Sequence, residues 1–203
     1  NLIEEKKLSE PPVFVGGCAR SGTTLLLSVL SSHPELFCFP RELSVFSEIS
    51  EDEDGRIIPV RIYRLYSAFL RYKIPASANR FCEKTPRNVL RISEIDQYYC
   101  GHFRFIHIVR DGRDVVLSRH PKGEDGYWAS PSRWVNDVSA GLRFADHPNV
   151  YTMKYEDLIT NFVPTMKGVC NFLDIPWTEE MERWFEHSQV KRNVAFFGRR
   201  VKP

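Results

Sequence analysis

Two short segments of this 203-residue chain carry residue types whose spacing suits the binding of anions. The first is Gly17-Cys18-Ala19-Arg20-Ser21-Gly22-Thr23-Thr24. It has the outline of a phosphate loop, G-x-x-x-x-G-K-[ST], with Thr23 where that motif has its lysine. The basic residue is Arg20, three positions earlier. Gly17 and Gly22 permit a backbone path on which N–H groups face an anion, and a following helix N-terminus adds its dipole. Ser21, Thr23 and Thr24 add hydroxyl donors, and the planar fork of Arg20 suits a tetrahedral anion. The second segment is Ile108-Val109-Arg110-Asp111-Gly112-Arg113-Asp114. Its apolar run ends in Arg110, where a nucleotide hydrolase would have an acidic residue for magnesium. Together the segments describe a seat for phosphate without the lysine and the metal partner of an ATPase.

The elements around them put both segments at strand ends. Val13-Phe14-Val15 is a short apolar run that reads as a buried strand feeding the loop, and Thr23 to Ser31 is a compact apolar helix closed by His33-Pro34. Arg80 to Lys84, Phe103 to Val109 and Val150 to Lys154 read as further strands. Helices are expected over Val60–Tyr72, Val89–Tyr99, from near Asp114, and over Trp134–Phe144, Tyr155–Leu158, Met166–Leu173 and Glu179–Ser188. In the Val60–Tyr72 helix, Ile62, Leu65, Tyr66, Phe69 and Leu70 fall at core spacing. Glu51 to Gly55 is a solvated acidic turn. Strands alternating with helices predict an α/β protein: three layers with a central parallel sheet of the P-loop type. Residues 1–10 read as a tail and 11–203 as one domain.

Composition narrows the function classes. Hydrophobic content of 42% and a net charge of +2 describe a folded protein without the basic excess of a general nucleic-acid binder. No apolar run approaches the roughly 20 residues of a membrane span. The five scattered cysteines and the absence of an N-x-[ST] acceptor favour a cytoplasmic protein over a Golgi-lumenal fragment. An initial Asn and an end at Pro203 just after a basic cluster are read as signs of a trimmed chain.

Arg20-Ser21-Gly22-Thr23-Thr24-Leu25-Leu26, followed by His33-Pro34, resembles the 5′-phosphosulfate loop of sulfotransferases that use 3′-phosphoadenosine 5′-phosphosulfate (PAPS). Arg110 and Ser118 match the arginine and serine that clamp the 3′-phosphate in that family. Tyr151 to Leu158 and Asn171-Phe172-Leu173 are similar to its later segments. The resemblance implies the sulfotransferase fold, PAPS as donor and 3′-phosphoadenosine 5′-phosphate (PAP) as product, with no metal. It implies leaving-group stabilisation by Arg20. Arg41-Glu42 resembles the segment where carbohydrate sulfotransferases carry a catalytic glutamate, which makes Glu42 the general base. The gapless register of tyrosylprotein sulfotransferases falls on Arg41 instead. Glu83-Lys84-Thr85-Pro86 resembles a segment whose lysine assists the leaving group, here Lys84. Tyr155 is the candidate adenine contact, with Tyr151 and Trp134 as alternatives, and Arg199 belongs to a basic segment that resembles a loop over the 3′-phosphate. The expected acceptor is a hydroxyl, on a carbohydrate first, with peptidyl tyrosine or a small metabolite behind it. His33, His107 and His120 are alternative bases; His33 reads as a helix-end residue and His107 as a satisfied buried imidazole. A kinase using ATP and magnesium, and a nucleotide-binding domain without turnover, are the rival functions.

Overall fold

The computed structural model describes residues 8–119 and 127–190, together with the backbone of Arg192–Asn193 and Arg199–Arg200. Five strands form one parallel sheet: β1 (Val13–Gly16), β2 (Leu36–Cys38), β5 (Arg80–Lys84), β6 (Arg104–Val109) and β7 (Val150–Lys154), in the order β2-β5-β1-β6-β7. Between β2 and β5 lies an antiparallel hairpin, β3 (Ile49–Glu51) and β4 (Ile57–Pro59), whose connection is the acidic turn. A short pair, β8 (Arg192–Asn193) and β9 (Arg199–Arg200), stands apart from the sheet. All four ladders of the main sheet are parallel, and β1 lies at its centre with Val15 opposite both Lys84 and Ile106.

Alternation along each strand feeds two cores. Val13, Val15, Ile106 and Ile108 face one side, with α1 (Thr23–Leu30) and α7 (Phe162–Leu173). Phe14 and Phe105 face the other, in an aromatic core with Phe37, Phe39, Phe46 and Phe81. The edge-to-face contact of Phe14 with Phe46, centroids 5.8 Å apart, is the preferred geometry of such rings. On that side lie α2 (Tyr63–Arg71), a 310 helix over Pro86–Arg91 and α3 (Ile92–Tyr99). The layers are therefore helix, sheet, helix, as the alternation predicts.

Several boundaries moved for physical reasons. α5 spans Pro131–Leu142 because Ser130 caps it, its hydroxyl accepting from the Arg133 N–H, and Pro131 fits the first turn. α4 (Gly112–Val116) begins two residues before Asp114 because Asp111 accepts from the Arg113 N–H. α6 (Tyr155–Thr160) is followed directly by α7, and the C-terminal helix splits into α8 (Glu179–Glu182) and α9 (Trp184–His187). In α2 only part of the expected core face is buried. Leu65 is inside, whereas Tyr66 and Leu70 are 60% and 83% exposed, since positions 62, 65 and 69 already complete the inward face. Ser28 of the apolar α1 and Ser31 just after it are bonded to the segment after α9: Ser28 Oγ donates to the Val190 carbonyl at 2.8 Å, and Ser31 Oγ meets Ser188 Oγ at 2.8 Å.

Two histidines are structural. His33 is buried, with Nε2 2.9 Å from the Pro176 carbonyl and Nδ1 accepting from the Glu35 N–H, so it ties loops together rather than capping α1. His107 lies in mid-strand against Gly141, its Nδ1 3.4 Å from Thr152 Oγ1 and its Nε2 without a partner, so it is less satisfied than expected. His120 lies outside the described residues. Burial lowers the His107 pKa from 6.5 to about 4. Below pH 6.5 the unfolded chain takes up a proton that the folded chain refuses, so stability present above that pH is lost as pH falls through about 4. The loss amounts to about 3 kcal/mol. Urea unfolding at pH 7 and pH 4.5 measures it, and in His107→Gln the drop between the two should shrink by most of that amount.

Candidate active site

The ends of β1, β5 and β6 converge on one cleft of about 400 Å³. Its walls include Arg20, Gly22, Thr23, Thr24, Glu42, Arg110 and Tyr155. The loop from Gly17 to Gly22 leaves β1 through left-handed backbone at Arg20 (φ 75°) and Gly22 (φ 91°). An arginine in that conformation costs on the order of 1 kcal/mol, a strain typical of functional turns. The first α1 bond runs from the Leu26 N–H to the Gly22 carbonyl, so the turn before it presents the open N-terminal end of the helix.

Arg110 is locked to this loop from the neighbouring strand. Its Nη1 donates to the Arg20 carbonyl at 3.2 Å, its Nη2 pairs with Asp114 at 3.3 Å, and its guanidinium carbon lies 4.6 Å from the centre of the Tyr155 ring. The Arg110 carbonyl in turn accepts from Trp134 Nε1 at 3.0 Å. Tyr155 closes the circuit, because a Cβ on Gly22 would run into its ring. Glu156 steadies the same turn by accepting from the Asp111 N–H at 2.9 Å. Asp111, bonded to Arg113, has its pKa lowered to about 2.

On the other side of β1, Lys84 Nζ lies 2.6 Å from Glu42 Oε1. The lysine is 3% exposed and the glutamate 27%, so the carboxylate is the member that reaches the cleft. Glu42 therefore pairs across the fold with Lys84 and not with its neighbour Arg41, which is exposed and lines a separate pocket with Arg64 and Arg71. Lys84 likewise passes over the adjacent Glu83. Glu83 is buried beside it, where burial raises its pKa and bonds from Thr85, the Leu43 N–H and Asn88 oppose the rise. Cys18, inside the loop, is buried with its pKa raised to about 12 by burial and by Asp137, so it is a packing thiol and not a nucleophile.

A family model described as "Sulfotransferase family" matches residues 11–57 and 46–179. The chain belongs to that family. Over 195 residues it is 28% identical to a protein-tyrosine sulfotransferase of Drosophila melanogaster, covering 83% of this chain and 39% of the fly protein. It is 28% identical to protein-tyrosine sulfotransferase 1 of Danio rerio, covering 83% of this chain and 54% of the fish protein. The chain thus spans about half or less of these relatives' lengths. Among solved structures, the sulfotransferase domain from the curacin biosynthetic pathway superposes with a TM-score of 0.65 at 18% identity, covering 95% of this chain and 83% of the other. Mouse sulfotransferase SULT7A1 complexed with PAP gives 0.60 at 18% identity, covering 88% and 64%. The sheet and its flanking helices are the sulfotransferase fold.

Not every residue singled out from the sequence reaches the cleft. Ser21 is fully buried, and its hydroxyl has no hydrogen-bond partner. Ser118 is not among the cleft residues, and its hydroxyl donates to the Asp114 carbonyl at 2.8 Å. Arg199 sits in β9 with its backbone opposite Asn193, and its side chain lies outside the described residues. Conversely, the cleft includes Arg87 and Arg133, which sequence reading left without a role, and Trp128, which it placed among the loops that would select the acceptor. Arg87 follows the Pro86 that ends a recognised segment, and Arg133 adjoins the cap of α5, but neither carries a motif of its own. Glu83 had a readable signal: two adjacent charges inside an otherwise buried strand.

Gly22→Ala tests the circuit through Tyr155. It should destabilise the protein by about 3 kcal/mol, the left-handed backbone and the ring overlap together. In a Tyr155→Ala background the cost should fall to about 1 kcal/mol, the backbone part alone. Equal costs in both backgrounds, measured by urea unfolding, would remove the ring from the account.

Proposed function

We propose that this chain is a PAPS-dependent O-sulfotransferase. The observation that carries the reading is the convergence on one cleft of two separate cationic seats, the Arg20 loop and Arg110, with the carboxylate of the Glu42–Lys84 pair. A nucleotide with a phosphate at each end of its nucleoside calls on both seats, whereas a triphosphate concentrates its charge at one end. The donor set fits: hydroxyls, loop N–H groups and guanidinium forks suit phosphate and sulfate oxygens. The buried, unpartnered Ser21 hydroxyl is a further polar atom in that loop.

When bound, the donor supplies a sulfuryl group on a phosphate leaving group. Glu42 takes the proton of the acceptor hydroxyl, and Lys84 Nζ, 2.6 Å away, orients that carboxylate. Arg20 offsets the charge that develops as the phosphate departs, and Lys84 adds its positive charge from behind Glu42. Arg110 and the face of Tyr155 hold the ribose end, with Asp114 as an exchangeable partner of Arg110.

The acceptor is read as a hydroxyl, and of the candidate classes peptidyl tyrosine now leads. The carbohydrate expectation rested on the Arg41-Glu42 and Glu83-Lys84-Thr85-Pro86 segments alone. The relatives named as protein-tyrosine sulfotransferases support the phenolic acceptor, and Trp128 in the cleft wall adds an aromatic side chain there. No helix among the described residues is long and apolar enough to cross a membrane.

Calorimetry with PAP and with ADP plus magnesium tests the donor. PAP should bind at least tenfold more tightly, and Arg110→Ala should abolish most of that preference; equal affinities would end the proposal. Glu42→Gln should lower kcat by about 10²- to 10⁴-fold, the range of general-base catalysis, and leave PAP affinity within twofold. Unchanged turnover would remove Glu42 as the base. Transfer of labelled sulfate from PAPS to a tyrosine peptide, in parallel with a desulfated oligosaccharide, reads the acceptor class directly.

A further inference from the structure

Glu83 has no part in the reaction as read above, yet it is 1% exposed and lies on β5, bonded to the loop that carries Glu42. Three neutral donors converge on its carboxylate: the Leu43 N–H at 3.0 Å, Thr85 Oγ1 at 2.5 Å and Asn88 Nδ2 at 2.7 Å. A buried carboxylate is expensive unless its oxygens are filled in this way, and replacing it by an apolar residue would leave those donors unmet. Such an arrangement in a strand interior has to be explained by what the three donors belong to.

Leu43 follows Glu42 directly, so the first bond fixes the backbone of the residue next to the candidate base. The next amide, Ser44 N–H, donates to Thr85 Oγ1 at 3.1 Å, and that same hydroxyl is bonded to Glu83. Asn88 belongs to the 310 helix Pro86–Arg91, whose Pro86 carbonyl accepts the Gly17 N–H of the phosphate loop at 3.0 Å. One carboxylate thereby joins the loop of Glu42, the turn after β5 and the start of the anion seat. We propose that Glu83 is a positioning residue for sulfuryl transfer, holding Glu42 at a set distance from the phosphate loop through the Leu43 amide and the Thr85 hydroxyl. Successive side chains of β5 thus hold the same loop twice, Glu83 by its backbone and Lys84 by the Glu42 carboxylate. Displacing a catalytic group by about 1 Å can cost 10²-fold in rate, so a strap of this kind acts on turnover more than on binding.

The inference rests on Glu42 as base, and its test separates the two. In the full chain, Glu83→Ala should lower kcat by about 10- to 100-fold, with KM for PAPS and PAP affinity within about threefold because the anion seat is built from β1 and β6. Hydrogen exchange at the Leu43 and Ser44 amides should speed up about tenfold or more, the loss of a bond worth about 1.4 kcal/mol or more. Glu83→Gln, which keeps an acceptor for the Leu43 N–H, should recover most of the rate. A kcat within twofold of the parent, unchanged exchange at those amides, or kcat and PAP affinity collapsing together would each overturn the proposal. Should Glu83→Ala not fold, Thr85→Val decides: kcat reduced about three- to tenfold at constant KM supports the strap, and an unchanged kcat overturns it. If Glu42→Gln leaves turnover intact while Glu83→Ala speeds exchange, the strap stands and the base assignment falls.

Discussion

The parallel pairing of β1 with β5 on one side and β6 on the other is the constraint from which the cleft follows. Parallel strands about 4.8 Å apart release their chains at the same edge, so whatever follows each strand meets the others there. The register is specific: Val15 stands opposite Lys84 and Gly16 opposite His107. Lys84 therefore emerges level with the start of the phosphate loop, and Arg110 emerges just past it on the far side. A slip of one residue would turn Val13, Val15 and Ile106 out of one core and Phe14 and Phe105 out of the other. Hydrophobic burial on both faces of the sheet thus sets the spacing of the charged groups, although none of the charged groups contributes to that burial.

Within this frame the loops are tied by weak, directional contacts that reinforce one another. Arg20 turns its carbonyl to Arg110, Arg110 lies over Tyr155, and Tyr155 fills the space that Gly22 leaves. Cation–π contacts and single hydrogen bonds are each worth about 1 kcal/mol, so no one of them would order the cleft. Their closure into a ring means that each holds partners already placed by the others. The cleft walls carry Arg20, Arg87, Arg110 and Arg133 against Glu42, an excess of positive charge that favours anionic guests. The Arg110–Asp114 pair, with Asp114 more than half exposed, is of the kind worth less than about 1 kcal/mol, so it yields readily to a phosphate.

Much of this was legible in the sequence, and the part that was not has a common cause. β1 and α1 are short apolar runs bounded by glycine, proline or charge, β6 is apolar but for Arg104 and His107, and β5 was marked off by the Thr85-Pro86 that stops it, so these types are local properties. β2 was missed because Leu36–Cys38 is three residues long and its pairing with β5 is the only thing that makes it a strand. The residues proposed to bind anions through a local turn, Arg20 and Gly22, were visible because the turn itself is a motif. Glu42 and Lys84 were each visible only through family likeness, and their pairing was not visible at all: they lie 42 positions apart, and neighbours on the chain compete for the pairing in any one-dimensional reading. Arg87 and Arg133 belong to the same class, since their surroundings are made by crossovers of the chain.

The displaced lysine of the loop can be understood on these terms. A triphosphate loop carries its lysine on its own helix, so the cation moves with the phosphate seat. Here the positive charge is divided between Arg20, inside the loop, and Lys84, on the adjacent strand and paired with Glu42. In the proposed reaction this division couples two events. An ionised Glu42 holds the Lys84 ammonium as an ion pair; once the carboxylate has taken the acceptor's proton, the ammonium keeps its charge but faces a neutral carboxyl, and the attraction between opposite charges is gone. The freed positive charge is then available to the departing phosphate at the step when negative charge builds up there. A lysine fixed in the loop could supply the charge, but its strength would not depend on whether the acceptor had been deprotonated.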